Sequence, residues 1–121
     1  MHKVLVVDDS LMDRRILTTY LHQAGLDVLN ATSAEEAMAK LDQYQPNLII
    51  LDVIMEGKSG FEMCRKLKAD QHTQAIPVII CSSKATAADK MWGDVIGADA
   101  YLPKPVPQEE FIKKVRQLLT Y

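Results

Sequence analysis

The chain begins with a segment, residues 3–10, of sequence Lys-Val-Leu-Val-Val-Asp-Asp-Ser, and this segment decides the fold class. Four consecutive apolar residues, three of them β-branched, precede two carboxylates. An uninterrupted apolar run of this length is typical of a strand that is buried on both faces, as in a parallel sheet. Such a strand needs helices on both sides of the sheet, so the segment predicts an α/β fold.

Short apolar segments alternate with longer amphipathic segments along the rest of the chain. Glycines 25 and 97 predict two helix ends, and Ser33 to Glu36 has the spacing of a capping box. The alternation predicts a flavodoxin-like doubly wound α/β fold with five helices and a five-stranded parallel sheet in the order 2-1-3-4-5. The predicted strands are 3–7, 27–31, 47–52, 77–81 and 99–103, and the predicted helices are 10–24, 33–44, 61–69, 86–96 and 108–119.

Composition excludes several classes of protein. The 121 residues predict one domain over 1–121, and a net charge of -2 with 6% aromatic residues predicts no nucleic-acid partner. No apolar run is long enough for membrane insertion. Cys64 and Cys81 lack the spacing of a zinc site, and free thiols without a signal peptide predict a cytoplasmic location.

Polar residues follow four of the five predicted strands. In doubly wound sheets, ligands bind beyond the carboxyl ends of the strands where the strand order reverses, here between the first and third strands. Asp8, Asp9 and Asp52 follow those two strands. Clustered carboxylates repel one another unless a cation lies among them, and Mg²⁺ prefers oxygen ligands. A carboxylate beside Mg²⁺ can also act as a nucleophile toward phosphorus.

The two remaining strand ends add groups that can bind a phosphate. Ser82 and Ser83 end the fourth strand, and Lys104 follows the fifth. Each feature alone has a simpler explanation, since Asp9, Ser10 or Ser82 could cap a helix and Lys-Pro is common in turns. Their joint placement at the strand ends favours a functional site.

These residues together resemble the receiver domains of response regulators of the CheY-like kind, over the chain from Lys3 to Leu119. The pairing of Trp92 with Gly93 is similar to single-domain receivers of twitching-motility and chemotaxis-like pathways. The matching motifs are Val6-Val7-Asp8-Asp9-Ser10, Ile50-Leu51-Asp52 followed by Met55 and Gly60, Pro77-Val78-Ile79 leading to Ser82, and Gly97-Ala98 through Tyr101 to Lys104-Pro105.

The resemblance implies that Asp52 accepts a phosphoryl group from a histidine kinase or a phosphotransfer protein. It implies that Asp9, Asp52 and the backbone carbonyl of Ile54 ligate Mg²⁺, and that Asp8 acts largely through water. It further implies that Lys104 contacts the phosphate through a loop with a cis Lys104–Pro105 bond.

The resemblance also implies a switch, in which the Ser82 hydroxyl moves toward the phosphate and Tyr101 turns inward. The altered surface is then formed by the fourth helix, the fifth strand and the fifth helix. Its residues include Lys90, Asp94, Tyr101, Pro103 and Lys113, which suit a protein partner.

The chain departs from the family's usual pattern at Glu56 and is unusual at Ile54 and Lys84. Glu56 stands where the family usually has proline, which removes a restraint on φ and adds negative charge near the acceptor. Ile54 and Lys84 occupy positions that in the family tune loss of the phosphate, and an isoleucine side chain cannot orient a water by hydrogen bonding. Trp92 can either pack beneath the fourth helix or stand on the partner face, and the sequence leaves this open.

The leading interpretation is a phosphorylation-switched receiver without an output domain, acting on an unidentified output protein. It is not an enzyme, beyond its own phosphorylation and dephosphorylation. A phosphate sink is an alternative. A Mg²⁺-dependent aspartyl phosphotransferase of the dehalogenase type is disfavoured, because residues 52–56 lack its Asp-x-Asp-x-Thr signature. A flavodoxin is disfavoured because Asp8 and Asp9 would repel a flavin phosphate.

Overall fold

The sheet and its helices are seen in a computed structural model that describes residues 2–55 and 60–119. Strands and helices alternate throughout. In chain order they are β1 (Lys3–Val7), α1 (Leu11–Gln23), β2 (Asp27–Ala31), α2 (Ala34–Leu41), β3 (Leu48–Leu51), α3 (Gly60–Ala69), β4 (Val78–Ser82), α4 (Ala87–Val95), β5 (Ala100–Pro103) and α5 (Gln108–Leu119).

The five strands form one parallel sheet in the order β2-β1-β3-β4-β5, which confirms the predicted topology. The strand order reverses between β1 and β3, where Val7 pairs with Leu51. Every residue of β3 and β4 is buried. β1 and β3 end side by side, and both are buried between helices. The predicted site lies directly beyond these two strand ends.

Each face of the sheet has its own apolar core. Alternate residues of β1 point to opposite faces, so Leu5 and Val7 belong to one core and Val4 and Val6 to the other. The first core packs against α2 and α3, and the second against α1 and α5, where Phe111 is fully buried. Burial on both faces is what the apolar run of β1 predicts.

Side chains cap the helices that flank the site. The Ser10 hydroxyl accepts a hydrogen bond from the backbone N–H of Asp13, which starts α1 immediately after the acidic pair. Thr86 and Asp89 form a full capping box on α4. Gly25 and Gly97 follow α1 and α4 with φ of +83° and +100°, a conformation that favours glycine.

Two local predictions for α2 need correction. The helix predicted over 33–44 ends at Leu41, because the backbone N–H of Gln43 bonds to Lys40 three residues back in a tighter turn. The capping box predicted for Ser33 is half formed, since its hydroxyl accepts from the Glu36 N–H. The Glu36 carboxylate reaches one residue further back, to the backbone and hydroxyl of Thr32.

The helices are short. The thirteen residues of α1 are the longest helical run in the part of the chain described, and no helix there combines the length and apolar character needed to cross a membrane.

Candidate functional site

Asp8 and Asp52 lie side by side at the point where the strand order reverses. Each directly follows its strand, and the paired residues Val7 and Leu51 set them at the same level of the sheet. The Asp52 N–H also donates to the Val7 carbonyl at 3.0 Å, continuing the pairing past the end of β3. Both carboxylate residues are buried, with 1% of Asp8 and 7% of Asp52 exposed. Two buried acids this close require a compensating positive charge.

Lys104 supplies that charge. Its Nζ lies 2.6 Å from Oδ2 of Asp8, 2.9 Å from Oδ2 of Asp52 and 2.9 Å from Oδ2 of Asp13. Burial disfavours the charge on Lys104, but these hydrogen bonds outweigh it and raise its pKa above the ordinary value. The ammonium therefore stays protonated. The sequence predicts an external cation among the carboxylates, but they already share the Lys104 ammonium from the end of β5.

The Lys104 loop has the predicted backbone form. The Lys104–Pro105 bond is cis, as the resemblance implies. The backbone N–H of Lys104 donates to the carbonyl of Ser82 at 3.0 Å, which ties the end of β5 to the end of β4. The lysine is thus attached to the sheet at its backbone and to the acidic residues at its side chain.

Asp52 is held at both carboxylate oxygens. Oδ1 accepts a hydrogen bond from the backbone N–H of Ile54 at 2.9 Å, and Oδ2 accepts from Lys104. Gly60, the first residue of α3, sits so close that an added β-carbon would lie 2.2 Å from the Asp52 carbonyl oxygen. Only glycine fits there, so the start of α3 packs directly against the backbone of the candidate acceptor.

A cleft of about 490 Å³ opens over these groups. Asp9, which is exposed, lines it together with Asp52, Ile54, Ser83 and Lys104. Apart from Lys104, the polar groups named here offer oxygen atoms, which Mg²⁺ prefers as ligands. Mg²⁺ keeps several waters, so it needs only a few protein oxygens, and the predicted ligands Asp9, Asp52 and Ile54 all line this cleft.

The carboxylates that the sequence predicts to converge, those of Asp8, Asp9 and Asp52, are not arranged as a metal site. Across residues 2–55 and 60–119, no three acidic, histidine or cysteine side chains are arranged as a ready metal cage. The Asp8 carboxylate instead accepts hydrogen bonds from Lys104 and from the backbone N–H of Ser10, at 2.6 and 2.9 Å. Burial raises the pKa of Asp8, against the opposite effect of these two donors.

Ser82 and Tyr101 meet at the backbone of Lys84. The buried Ser82 hydroxyl accepts a hydrogen bond from the Lys84 N–H at 3.1 Å, and the Tyr101 hydroxyl donates to the Lys84 carbonyl. Burial raises the pKa of Tyr101 to about 12, so the hydroxyl stays protonated and able to donate. The Tyr101 ring lies 6.3 Å from the ring of Phe61, between centroids. One peptide segment thus connects both predicted switch residues.

Asp13 is the site residue that the sequence prediction missed. It lies in the first turn of α1 and contacts Lys104 across 91 residues of sequence. The Ser10-x-x-Asp13 spacing is a signal that could have placed it, because a residue three after a helix cap belongs to the first turn.

The structure answers the question about Trp92 and leaves another prediction outside its range. Trp92 is 48% exposed on α4, beside Met91 and Val95, which are each 69% exposed. It therefore stands on the surface. Glu56, in place of the usual proline, lies outside the described residues.

The fold and the acidic site together define a signalling domain. The family model of the response regulator receiver domain matches residues 4–116, and the chain belongs to this family. It is 39% identical over 119 residues to Protein PilH of Pseudomonas aeruginosa, covering 98% of both chains. It is 37% identical over 114 residues to Protein PilG of the same organism, covering 94% of this chain and 84% of PilG.

Solved structures agree with this assignment. A putative response regulator from Chloroflexus aurantiacus has a TM-score of 0.95 at 29% identity, covering 99% of this chain and 98% of that one. The Vibrio cholerae chemotaxis protein CheY4 has a TM-score of 0.91 at 30% identity, covering 98% of both. The predicted resemblance to CheY-like receivers, and to those of twitching-motility pathways in particular, is confirmed.

Proposed function

We propose that this receiver takes a phosphoryl group onto Asp52 from a histidine kinase or a phosphotransfer protein. The observation that carries the proposal is the Asp52 carboxylate, buried at the end of β3, 2.9 Å from the Lys104 ammonium and bordering an open cleft. A carboxylate oxygen attacks phosphorus, the new O–P bond forms and the donor's N–P bond breaks. The bonding pair returns to the donor imidazole, which takes up a proton.

Charge compensation is the main contribution of the protein to this transfer. The Lys104 ammonium and the N–H of Ile54 already contact the two oxygens of Asp52, so they are placed to balance charge at the transferred group. Asp9, Asp52 and the Ile54 carbonyl would hold Mg²⁺, with Asp8 acting through water. Bound Mg²⁺ supplies neutralisation of the phosphoryl oxygens.

Incubation with acetyl phosphate and Mg²⁺ tests this step. Wild type should gain one phosphoryl group by intact mass, and Asp52→Asn should gain none. Asp27→Asn is the matched control, because Asp27 is an exposed acid at the amino end of β2, and the site lies at the carboxyl ends of the strands. Uptake by Asp52→Asn at the wild-type rate would refute the assignment.

The output leaves through the face of α4, β5 and α5. The Ser82 hydroxyl and Tyr101 both bond to the backbone of Lys84, which precedes α4, so a change at the phosphate can reach that helix. Exposed Met91, Trp92 and Val95 give α4 an apolar surface of the kind that protein partners cover. Mixed-charge residues Lys90, Asp94 and Lys113 accompany it, and we infer a protein partner rather than nucleic acid.

Trp92 offers a direct readout of this route. Phosphorylation should alter the emission of Trp92, and Ser82→Ala should weaken the change while Asp52 still accepts the group. Thr19→Ala is the matched control, since Thr19 is an exposed hydroxyl residue on α1 that does not line the cleft. An unchanged response in Ser82→Ala would mean that the signal travels by another route.

The apolar surface of α4 favours an output partner over a phosphate sink, which has no need of one. Similarity to PilH and PilG supports a role in twitching-type motility signalling in the cytoplasm. The receiver acts as a switch whose only chemistry is its own phosphorylation and dephosphorylation. That it works without an output domain stays a prediction.

A further inference from the structure

The Lys104 ammonium has every donor engaged. An ammonium carries three N–H donors, and Nζ of Lys104 contacts one oxygen each of Asp8, Asp13 and Asp52 at 2.6 to 2.9 Å. The lysine side chain is only 13% exposed, so water has little access to it. When Asp52 is phosphorylated, the donor that it occupies can pass to a phosphoryl oxygen, but Lys104 can give the group a second hydrogen bond only if Asp8 or Asp13 gives up its place.

The three carboxylates differ in how easily they can leave. The side chains of Asp8 and Asp52 are 2% and 9% exposed, and each also accepts a hydrogen bond from a backbone N–H. The side chain of Asp13 is 37% exposed and sits on the first turn of α1, at the rim of the cleft. Asp13 can therefore rotate into water at the lowest desolvation cost of the three.

We propose that Asp13 is a positioning residue that holds Lys104 before phosphorylation and releases it to the phosphoryl group afterwards. Its carboxylate stabilises the unphosphorylated arrangement, and its negative charge opposes the incoming anion. Both effects raise the free energy of the phosphorylated state relative to the unphosphorylated state. Asp13 thereby sets how much donor or phosphoryl mimic is needed to switch the protein, an inference that rests on the proposed function of Asp52.

Beryllium fluoride with Mg²⁺ provides a stable phosphoryl mimic for the test, with Trp92 emission or amide chemical shifts as the readout. Asp13→Asn should lower the half-saturating concentration of beryllium fluoride about twofold to fivefold, the range expected for a partly exposed ion pair. Asp13→Glu should stay near wild type, because it keeps the charge. Asp27→Asn, which removes the same charge at the amino end of β2, should leave the half-saturating concentration unchanged. Unchanged or weaker binding by Asp13→Asn, or an equal gain in Asp27→Asn, would overturn the proposal.

Hydrogen exchange of the Lys104 ammonium tests the holding step without metal or mimic. Its protons, measured by nitrogen NMR, should exchange faster in Asp13→Asn than in wild type, and equal rates would overturn the proposal. If exchange accelerates but wild type binds no mimic, the role of Asp52 and the release step are wrong while the contact holding Lys104 stands. If wild type binds the mimic and Asp13→Asn binds it equally, only the inference about Asp13 fails.

Discussion

Gly93 and Tyr101 fit together so closely that a β-carbon on Gly93 would lie 2.8 Å from Cδ2 of the tyrosine ring. The same β-carbon would lie 3.4 Å from Cδ1 of Ile80, so α4 packs closely against both β5 and β4 at this glycine. At its other end, the Tyr101 hydroxyl donates to the Lys84 carbonyl. The position of α4 and the orientation of Tyr101 are therefore coupled through a glycine.

Substituting Gly93→Ala should force Tyr101 or α4 to move. We expect a loss of about 1–3 kcal/mol in the free energy of unfolding, the usual cost of overpacking, partly offset by the helix propensity of alanine. Urea unfolding measures it. The control is the same substitution in a Tyr101→Ala background, where the ring is absent and the cost should largely vanish. An equal cost in both backgrounds would show that the ring is not the obstacle.

Magnesium should stabilise the fold, because it binds the folded carboxylates and offsets their repulsion. The melting temperature of wild type should rise with Mg²⁺ concentration. Asp9→Ala should blunt the rise, whereas Asp27→Ala should not. A full response in Asp9→Ala would remove Asp9 from the metal site.

Ile54 should prolong the phosphorylated state. Its side chain is 50% exposed at the cleft, next to the acceptor, and offers no hydrogen bond to align a hydrolytic water. Ile54→Asn should therefore speed loss of the phosphoryl group, followed after the donor is removed. Met38→Asn, which makes the same kind of change at an exposed position on α2, serves as the control. Unchanged or slower loss in Ile54→Asn would refute this role.

Acid should weaken the N-terminal cap of α4. The Lys84 ammonium, followed by donors from Thr86, lowers the pKa of Asp89 to about 2 from an ordinary value of 3.8. A depressed pKa means that Asp89 contributes stability above pH 3.8, which is lost as pH falls toward 2. The difference in unfolding free energy between wild type and Asp89→Asn should shrink over that window. A difference independent of pH would contradict the lowered pKa.

The fold follows closely from local sequence patterns. The buried run of β1 and the alternation of strands and helices predict the sheet order, and the polar residues after four of the strands predict where the site lies. The prediction is least accurate at α2, where the amphipathic pattern continues to Tyr44 but the backbone N–H of Gln43 bonds to Lys40, three residues back, in a tighter turn. Hydrophobic periodicity cannot distinguish a hydrogen bond that spans three residues from the α-helical bond that spans four, because the two differ by a single residue.

The candidate site is predictable only in part. Asp8, Asp52 and Lys104 follow strands, so topology brings them together. Asp13 approaches them from a helix, and whether its carboxylate reaches Lys104 depends on how α1 packs on the sheet. Lys84 connects Ser82 and Tyr101 through its backbone N–H and carbonyl, which every residue except proline has, so the sequence carries no specific signal for this contact.

The most direct test of the central claim is to locate the phosphoryl group chemically. Borohydride reduces an acyl phosphate on aspartate to homoserine, which peptide mass spectrometry assigns to one position. After treatment with acetyl phosphate and Mg²⁺, we expect homoserine at position 52 in wild type and none in Asp52→Asn. Homoserine at Asp8, Asp9 or Asp13 in wild type, with position 52 unchanged, would contradict the account.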